Sequence, residues 1–204
     1  MTTAITIGHF RQHILDMAQS RMGLKEYSAY LRYETVEGRC SRDNKYLREE
    51  HLPLLAVINY KATPDTEQIE LGNEKEPWDA RIGGCDLYEV VQALPAGEHQ
   101  VRCEIASGGQ SPVTYLTHAA DHHQFPGVIV DAVEKKHKKA YTDCRSLVVV
   151  FSGDYCGEDD EVVHGWVRHV QGQTARGSFK EVLLVELDRL KVFPLFPADG
   201  GPVA

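Results

Sequence analysis

A continuous apolar run, LVVVF at residues 147–151, constrains the fold of this chain more than any other feature. A strand with one face in water alternates apolar and polar residues, whereas an unbroken apolar run predicts a strand buried on both faces. Such a strand lies inside a sheet that has helices packed on both sides. The run therefore favours an α/β fold with a mixed central β-sheet flanked by helices.

The patterns on either side of this run supply the other elements of that fold. Apolar residues three and four apart predict helical segments, while short apolar runs bounded by Gly and Pro predict strands. Helices are predicted in 5–33 with an interruption near Gly23, in 45–60 with a break or kink at Pro53, near 97–107, in 113–123, 126–141 and 161–171. Strands are predicted at 68–71, 78–82, 85–93, 180–187 and 189–196, with Gly83-Gly84 as a turn.

The length of 204 residues suits one compact domain. We expect a helical extension and loop over 1–44, an α/β core over 45–196 and a loose tail over 197–204.

Composition excludes several classes of protein. The formal net charge is -8, which argues against a surface that binds nucleic acid everywhere but allows a local basic strip. Five cysteines without a CxxC pair favour reduced thiols in a cytoplasmic protein. No run approaches the roughly 18 to 20 apolar residues of a membrane span, and the first residues do not resemble a signal peptide. We therefore expect no membrane partner.

Two carboxylates stand out in the predicted strands. Side chains of a strand alternate between its faces, so Glu89 shares a face with Leu87 and Val91. A carboxylate among apolar neighbours is costly to bury unless it is paired or binds a cation. The Gly-Gly turn brings Asp79 on the preceding strand beside Glu89, and two carboxylates suit Mg²⁺ or Mn²⁺. From this pattern we expect Glu89→Gln to abolish any metal-dependent activity and to leave stability equal or higher.

A third acid, Glu50, falls at or beside the apolar face of its predicted helix. An acid in an early helix, an acid on one strand and a second acid on the next strand resemble the PD-(D/E)xK nuclease superfamily. The helix and buried strand of VIVDAVEKKHKKAYTDCRSLVVVF follow as in such domains. The resemblance implies a restriction-endonuclease-like core that hydrolyses phosphodiester bonds. Asp79 and Glu89 would hold Mg²⁺ or Mn²⁺, and Glu50 would be a further catalytic acid.

The sequence departs from that superfamily in two places. Trp78 separates Pro77 from Asp79, and the lysine of the E-x-K motif is replaced by Val91. A lysine from the run Lys135–Lys139 could reach the site, and that helix could also contact the phosphate backbone of nucleic acid. Without such a lysine, the chain would be an inactive nuclease-fold module that binds nucleic acid or a protein partner.

A third interpretation rests on HAADHH at 118–123. His118 and His122 are four apart, so on a helix they could grip zinc, and with Asp121 they resemble the H-x-x-E-H motif of inverzincin peptidases. This would make the chain a zinc hydrolase. Because no further ligands are evident, we expect these histidines not to form a structural zinc site.

Overall fold

The fold is seen in a computed structural model that describes residues 4–21, 47–72, 76–95, 124–139, 141–157 and 159–198. The helices are α1 (Ile7–Arg21), a π-helical turn (Leu47–His51), α2 (Leu52–Tyr60), α3 (Phe125–His137), a short 3₁₀ turn (Gly153–Tyr155) and α4 (Asp160–Gln173). The strands are β1 (Ile5–Thr6), β2 (Gln68–Leu71), β3 (Ala80–Ile82), β4 (Asp86–Gln92), β5 (Ser146–Phe151), β6 (Glu181–Glu186) and β7 (Lys191–Phe196).

All of these strands form one mixed sheet of seven strands in sequential order, β1 to β7. Strands β1 to β4 pair as an antiparallel meander. Strand β5 pairs in parallel with both β4 and β6, and β7 closes the sheet in the antiparallel direction. Each parallel pairing needs a crossover, and α3 and α4 lie within the two crossovers.

Each face of the sheet carries its own hydrophobic core. Apolar residues of α1 and α2 pack on one face, which we call the first face and which carries Tyr88 and Val90 of β4. Apolar residues of α3 and α4 pack on the other, the second face, which carries Leu147 and Val149 of β5. Strand β5 is buried along its whole length because it contributes to both cores.

This architecture confirms the predicted α/β class with a mixed central sheet flanked by helices. Residues 47–60 form two helical pieces, because Pro53 lies in the first turn of α2, where no helical partner is needed for the missing N–H. Strand β1 pairs with β2 and α1 packs in the first core, so these parts of the predicted N-terminal extension contribute to the core. The helices predicted near 97–107 and in 113–123 lie outside the described residues.

Among the helices that the structure describes, none has the length and apolarity to cross a membrane.

The π-helical turn buries a histidine whose titration is linked to folding. The ring of His51 packs edge-on against Phe10 at 5.8 Å between ring centres, and its Nδ1 atom is buried without a hydrogen-bond partner among the described residues. Burial, and then repulsion by His13, lower the pKa of His51 from 6.5 to about 4. The folded protein therefore holds this ring neutral at a pH where the unfolded chain binds a proton.

Stability should consequently fall as the pH drops from 6.5 towards 4. In that range the unfolded state binds more protons than the folded state, so acid favours unfolding, by about 3 kcal/mol at its lower end. The variant His51→Phe keeps an aromatic ring against Phe10 but does not titrate, so its urea unfolding should depend less on pH. The exposed His169→Gln is the matched control. An equal acid dependence in wild type and His51→Phe would contradict this account.

Candidate active site

The hairpin of β3 and β4 brings Asp79 and Glu89 together. The register pairs Ala80 with Tyr88, so the next position outward sets Asp79 opposite Glu89. The backbone N–H of Asp79 donates to the carbonyl of Tyr88 at 2.9 Å, although the regular strand begins only at Ala80. Residues opposite each other in an antiparallel pair point to the same face. Both acids therefore belong to the second face, the one covered by α3.

The carboxylate of Asp79 completes the hairpin where the regular pairing ends. Its Oδ2 atom accepts a hydrogen bond of 2.6 Å from the backbone N–H of Val90. Burial raises the pKa of Asp79, the hydrogen bond from Val90 opposes this, and the negative charge of Glu89 raises it further. Within the described residues, Asp79 forms no ion pair, so the burial of its charge is poorly compensated.

The backbone around Asp79 is held by a close approach of β2. The N–H of Gly72 donates to the carbonyl of Asp79 at 2.8 Å. A Cβ atom at position 72 would lie only 2.0 Å from the carbonyl oxygen of Trp78. Glycine is therefore required here, because any side chain would push the segment that carries Asp79 away from the sheet.

Glu89 lies at the centre of a network of positive charges. Its Oε1 atom accepts hydrogen bonds from Lys136 Nζ at 2.5 Å, from the Tyr141 hydroxyl at 2.8 Å and from Lys139 Nζ at 3.4 Å. Its Oε2 atom accepts one from Arg145 Nη1 at 3.2 Å. The Glu89 side chain is only 7% exposed and that of Lys136 only 11%. Several partners thus compensate the burial of this carboxylate. The expectation of an unpaired Glu89, which came from the strand pattern, is therefore wrong.

Arg145 contacts several members of this network. Its guanidinium, 2% exposed, forms a two-pronged ion pair with Asp143, with both contacts at 2.5 Å. It also donates to the carbonyl of Pro77 and stacks on the ring of Tyr141 with its Cζ atom 4.0 Å from the ring centre. Because Pro77 precedes Asp79 by two residues, Arg145 fixes the segment that carries one acid while it contacts the other.

The pKa values of the central pair follow from the balance between burial and pairing. Burial raises the pKa of Glu89, but the hydrogen bond and charge of Lys136, with help from Tyr141 and Lys139, hold it below its ordinary value. Burial lowers the pKa of Lys136, and the attraction of Glu89 only partly opposes that effect. Lys136 therefore releases its proton more readily than an exposed lysine does.

Lys136 is the lysine that sequence reasoning did not single out from its neighbours. It follows Ile129 by seven residues and Val133 by three, so it continues the buried stripe of α3, whereas Lys135 is exposed. That helical phase is a signal in the sequence that separates Lys136 from the other lysines of the run. Tyr141 and Arg145 follow α3 in the connection to β5, where no periodicity marks them.

The third predicted acid, Glu50, belongs to a different element from the other two. Glu50 lies in the π-helical turn, whose neighbours Leu47 and Leu52 pack in the first core. Gln92 of β4 reaches this turn by donating to the carbonyl of Glu49 at 3.4 Å. Glu89, by contrast, belongs to the second face of the sheet. A catalytic role for Glu50 stays a prediction.

The residues predicted to bind a metal ion are the two acids and two of the histidines of HAADHH. The described residues contain no cluster of three or more His, Cys, Asp or Glu side chains placed to hold a metal ion. Mg²⁺ and Mn²⁺ need fewer protein ligands, because one or two carboxylates together with waters and substrate phosphates suffice. Asp79, partly buried with a raised pKa, and Glu89 opposite it fit that requirement. His118 and His122 lie outside the described residues.

Comparison of this chain with protein-family models, with curated proteins and with solved structures finds no match.

Proposed function

We propose that this protein is a metal-dependent phosphodiesterase of the nuclease type, with Asp79, Glu89 and Lys136 as its reacting groups. The observation that carries the proposal is the position of Lys136. Its amine reaches Glu89 from α3 on the sheet face where Asp79 and Glu89 lie opposite each other. A lysine thus stands beside the acid pair even though the E-x-K position is occupied by Val91.

Each group suits one part of that chemistry. Asp79 and Glu89 would hold Mg²⁺ or Mn²⁺, which when bound lowers the pKa of a coordinated water and offsets charge on the phosphate. Lys136 supplies a proton-bearing group at Nζ whose pKa burial has lowered, which suits proton exchange with a water beside Glu89. Lys139, half-exposed at the edge of the network, would contact a phosphate oxygen.

The surrounding residues hold these groups in place. Arg145 and Tyr141 fix the two oxygens of Glu89, and Arg145 also anchors the segment before Asp79. Side chains that are locked by such contacts lose little further freedom when a substrate binds. The geometry of the acid pair is therefore set before substrate arrives.

A second candidate function is a binding module without catalysis, and one observation favours it. Both oxygens of Glu89 already accept hydrogen bonds from lysine, arginine and tyrosine. Such a network is complete without a metal ion, and it could serve only to join α3 to the β3–β4 hairpin. In that case the lysines of α3 would contact nucleic acid or a protein partner without cleaving it.

Hydrolysis of a small activated phosphodiester, bis(p-nitrophenyl) phosphate, separates the two candidates. The proposal expects hydrolysis that depends on Mn²⁺ or Mg²⁺ and stops when the metal is chelated. Parallel reactions with DNA and RNA oligonucleotides identify the physiological class of substrate. Wild-type protein that hydrolyses none of these substrates with either metal would overturn the proposal and favour the binding module.

A further inference from the structure

A groove of about 380 Å³ opens beside the candidate active site. The turn at 176–180 forms one wall, and Cys144 and Ala198 complete the lining. Its volume lies in the range of sites that bind small ligands or parts of larger ones. None of its lining residues belongs to the Asp79, Glu89 and Lys136 set.

The groove shares a wall with the active site. Cys144 immediately precedes Arg145, whose guanidinium contacts Glu89. The ring of Phe179 lies 5.7 Å from the ring of Tyr141, whose hydroxyl donates to the same carboxylate. The rings of Phe179 and Tyr141 therefore lie between the groove and Glu89, and a ligand long enough could occupy both places.

The lining of the groove is suited to an anion. Two of the lining residues, Arg176 and Lys180, are positively charged, and none is negatively charged. This contrasts with the net charge of -8 for the whole chain. Lys180 forms an ion pair of 2.5 Å with Asp86, outside the lining, and a lysine ammonium can donate further hydrogen bonds.

The turn between these two cations is fixed by its own backbone contacts. The N–H of Phe179 donates to the carbonyl of Arg176 at 3.4 Å, and Gly177 adopts a φ of 63°. The N–H of Lys180 donates to the carbonyl of Arg145 at 2.8 Å, so both of these N–H groups are bonded within the protein. A Cβ atom on Gly177 would lie 2.6 Å from His137 Nε2, so glycine also allows the turn to pack against the end of α3. Ser178 adds a hydroxyl to the lining.

We propose that this groove binds a backbone phosphate of a nucleic-acid strand whose neighbouring phosphodiester bond lies at Asp79, Glu89 and Lys136. The inference rests on the proposed function, because the active site gives the strand its second point of attachment. Arginine and lysine side chains are the usual donors to phosphate oxygens. A strand held at both places would lie across the wall formed by Tyr141 and Phe179.

Binding is measured without cleavage, in EDTA, with a fluorescent single-stranded DNA of about twelve nucleotides. The double variant Arg176→Gln/Lys180→Gln should bind this strand about tenfold more weakly than wild type at low salt. Its salt dependence should also be shallower, with the slope of log affinity against log salt smaller by about 1.4 for two lost contacts. A second double variant, Arg176→Lys/Lys180→Arg, keeps both charges and should recover most of the affinity.

The control is Arg168→Gln/Lys191→Gln, which removes the same charge elsewhere on the surface. Lys191 begins β7, at the end of that strand away from Ala198 in the groove lining, and Arg168 is exposed on α4. This control should bind the strand nearly as well as wild type. The Lys180–Asp86 pair is about 40% exposed on both sides, so its loss should barely change thermal melting.

Two outcomes would overturn the proposal that the groove binds a strand. The first is that Arg176→Gln/Lys180→Gln binds the strand as tightly as the control does. The second is that wild-type protein binds inorganic phosphate but no strand. The nuclease proposal has its own test, and it fails if wild-type protein does not hydrolyse bis(p-nitrophenyl) phosphate. Strand binding that depends on Arg176 and Lys180 in a protein without hydrolysis would support the groove and contradict the nuclease.

Discussion

Replacing Glu89 with glutamine should destabilise the protein by about 3–5 kcal/mol, the range for breaking a buried ion pair from one side. The amide cannot offset the charges of Lys136 and Arg145, which would stay buried beside it. The NH₂ group of the glutamine would also face some of the hydrogen-bond donors that now surround the carboxylate. This reverses the expectation from the strand pattern, in which an unpaired Glu89 would be replaced without loss.

The matched control for this prediction is Asp79→Asn on the opposite strand. It too changes an acid into its amide, but Asp79 is only partly buried, desolvation raises its pKa, and no ion pair compensates its charge in the described part of the chain. The asparagine oxygen can still accept the hydrogen bond from Val90. Stability at neutral pH should therefore hold or rise.

Urea unfolding at pH 7 distinguishes the two variants. The account expects a large loss of unfolding free energy for Glu89→Gln and none for Asp79→Asn. Equal losses of unfolding free energy in both variants would show that the different surroundings of Glu89 and Asp79 do not affect stability. An unchanged stability for Glu89→Gln would show that the network around it contributes nothing.

Replacing Lys136 with methionine should reduce phosphodiester hydrolysis by a factor of about 10² to 10⁴, the usual contribution of a positioned proton-transfer group. Methionine has a similar length and continues the apolar stripe of α3, so the helix should stay packed. Glu89 keeps Arg145 as a buried cation and Lys139 and Tyr141 as further partners.

Two further variants make this prediction specific. Lys135→Met alters the neighbouring lysine, which is exposed, and should leave hydrolysis close to that of wild type. Lys136→Arg keeps a positive charge but does not release a proton near neutral pH, so it should not restore the rate. If Lys136→Met hydrolyses phosphodiesters as fast as Lys135→Met, Lys136 has no part in the reaction.

The fold could be predicted largely from local patterns. The apolar run at 147–151 indicated a doubly buried strand, and the Gly83-Gly84 turn indicated the hairpin that sets Asp79 opposite Glu89. That turn also predicted that Asp79 and Glu89 lie side by side at one site. These features depend on residues close together in the chain, where periodicity and turn chemistry determine the outcome.

The partners of Glu89 could not be predicted in the same way. Arg145 meets Glu89 across 56 positions of sequence and Lys136 across 47, through a crossover whose path no local pattern specifies. Four lysines in one short run also resemble the exposed face of an amphipathic helix, which conceals the one that is buried. The helical phase of Glu50 likewise does not indicate which face of the sheet its turn covers, and its catalytic role stays a prediction.

The measurement that tests the central claim most directly is the rate of Mn²⁺-dependent hydrolysis of bis(p-nitrophenyl) phosphate by Asp79→Asn. This variant removes one charge from the acid pair while the fold is expected to keep its stability, so a lost rate reports on chemistry alone. We predict a rate lower by a factor of at least about 10², with a melting temperature that is unchanged or higher. A rate within about twofold of wild type would contradict it, because transition-state stabilisation by Asp79 would then be worth under about 0.5 kcal/mol.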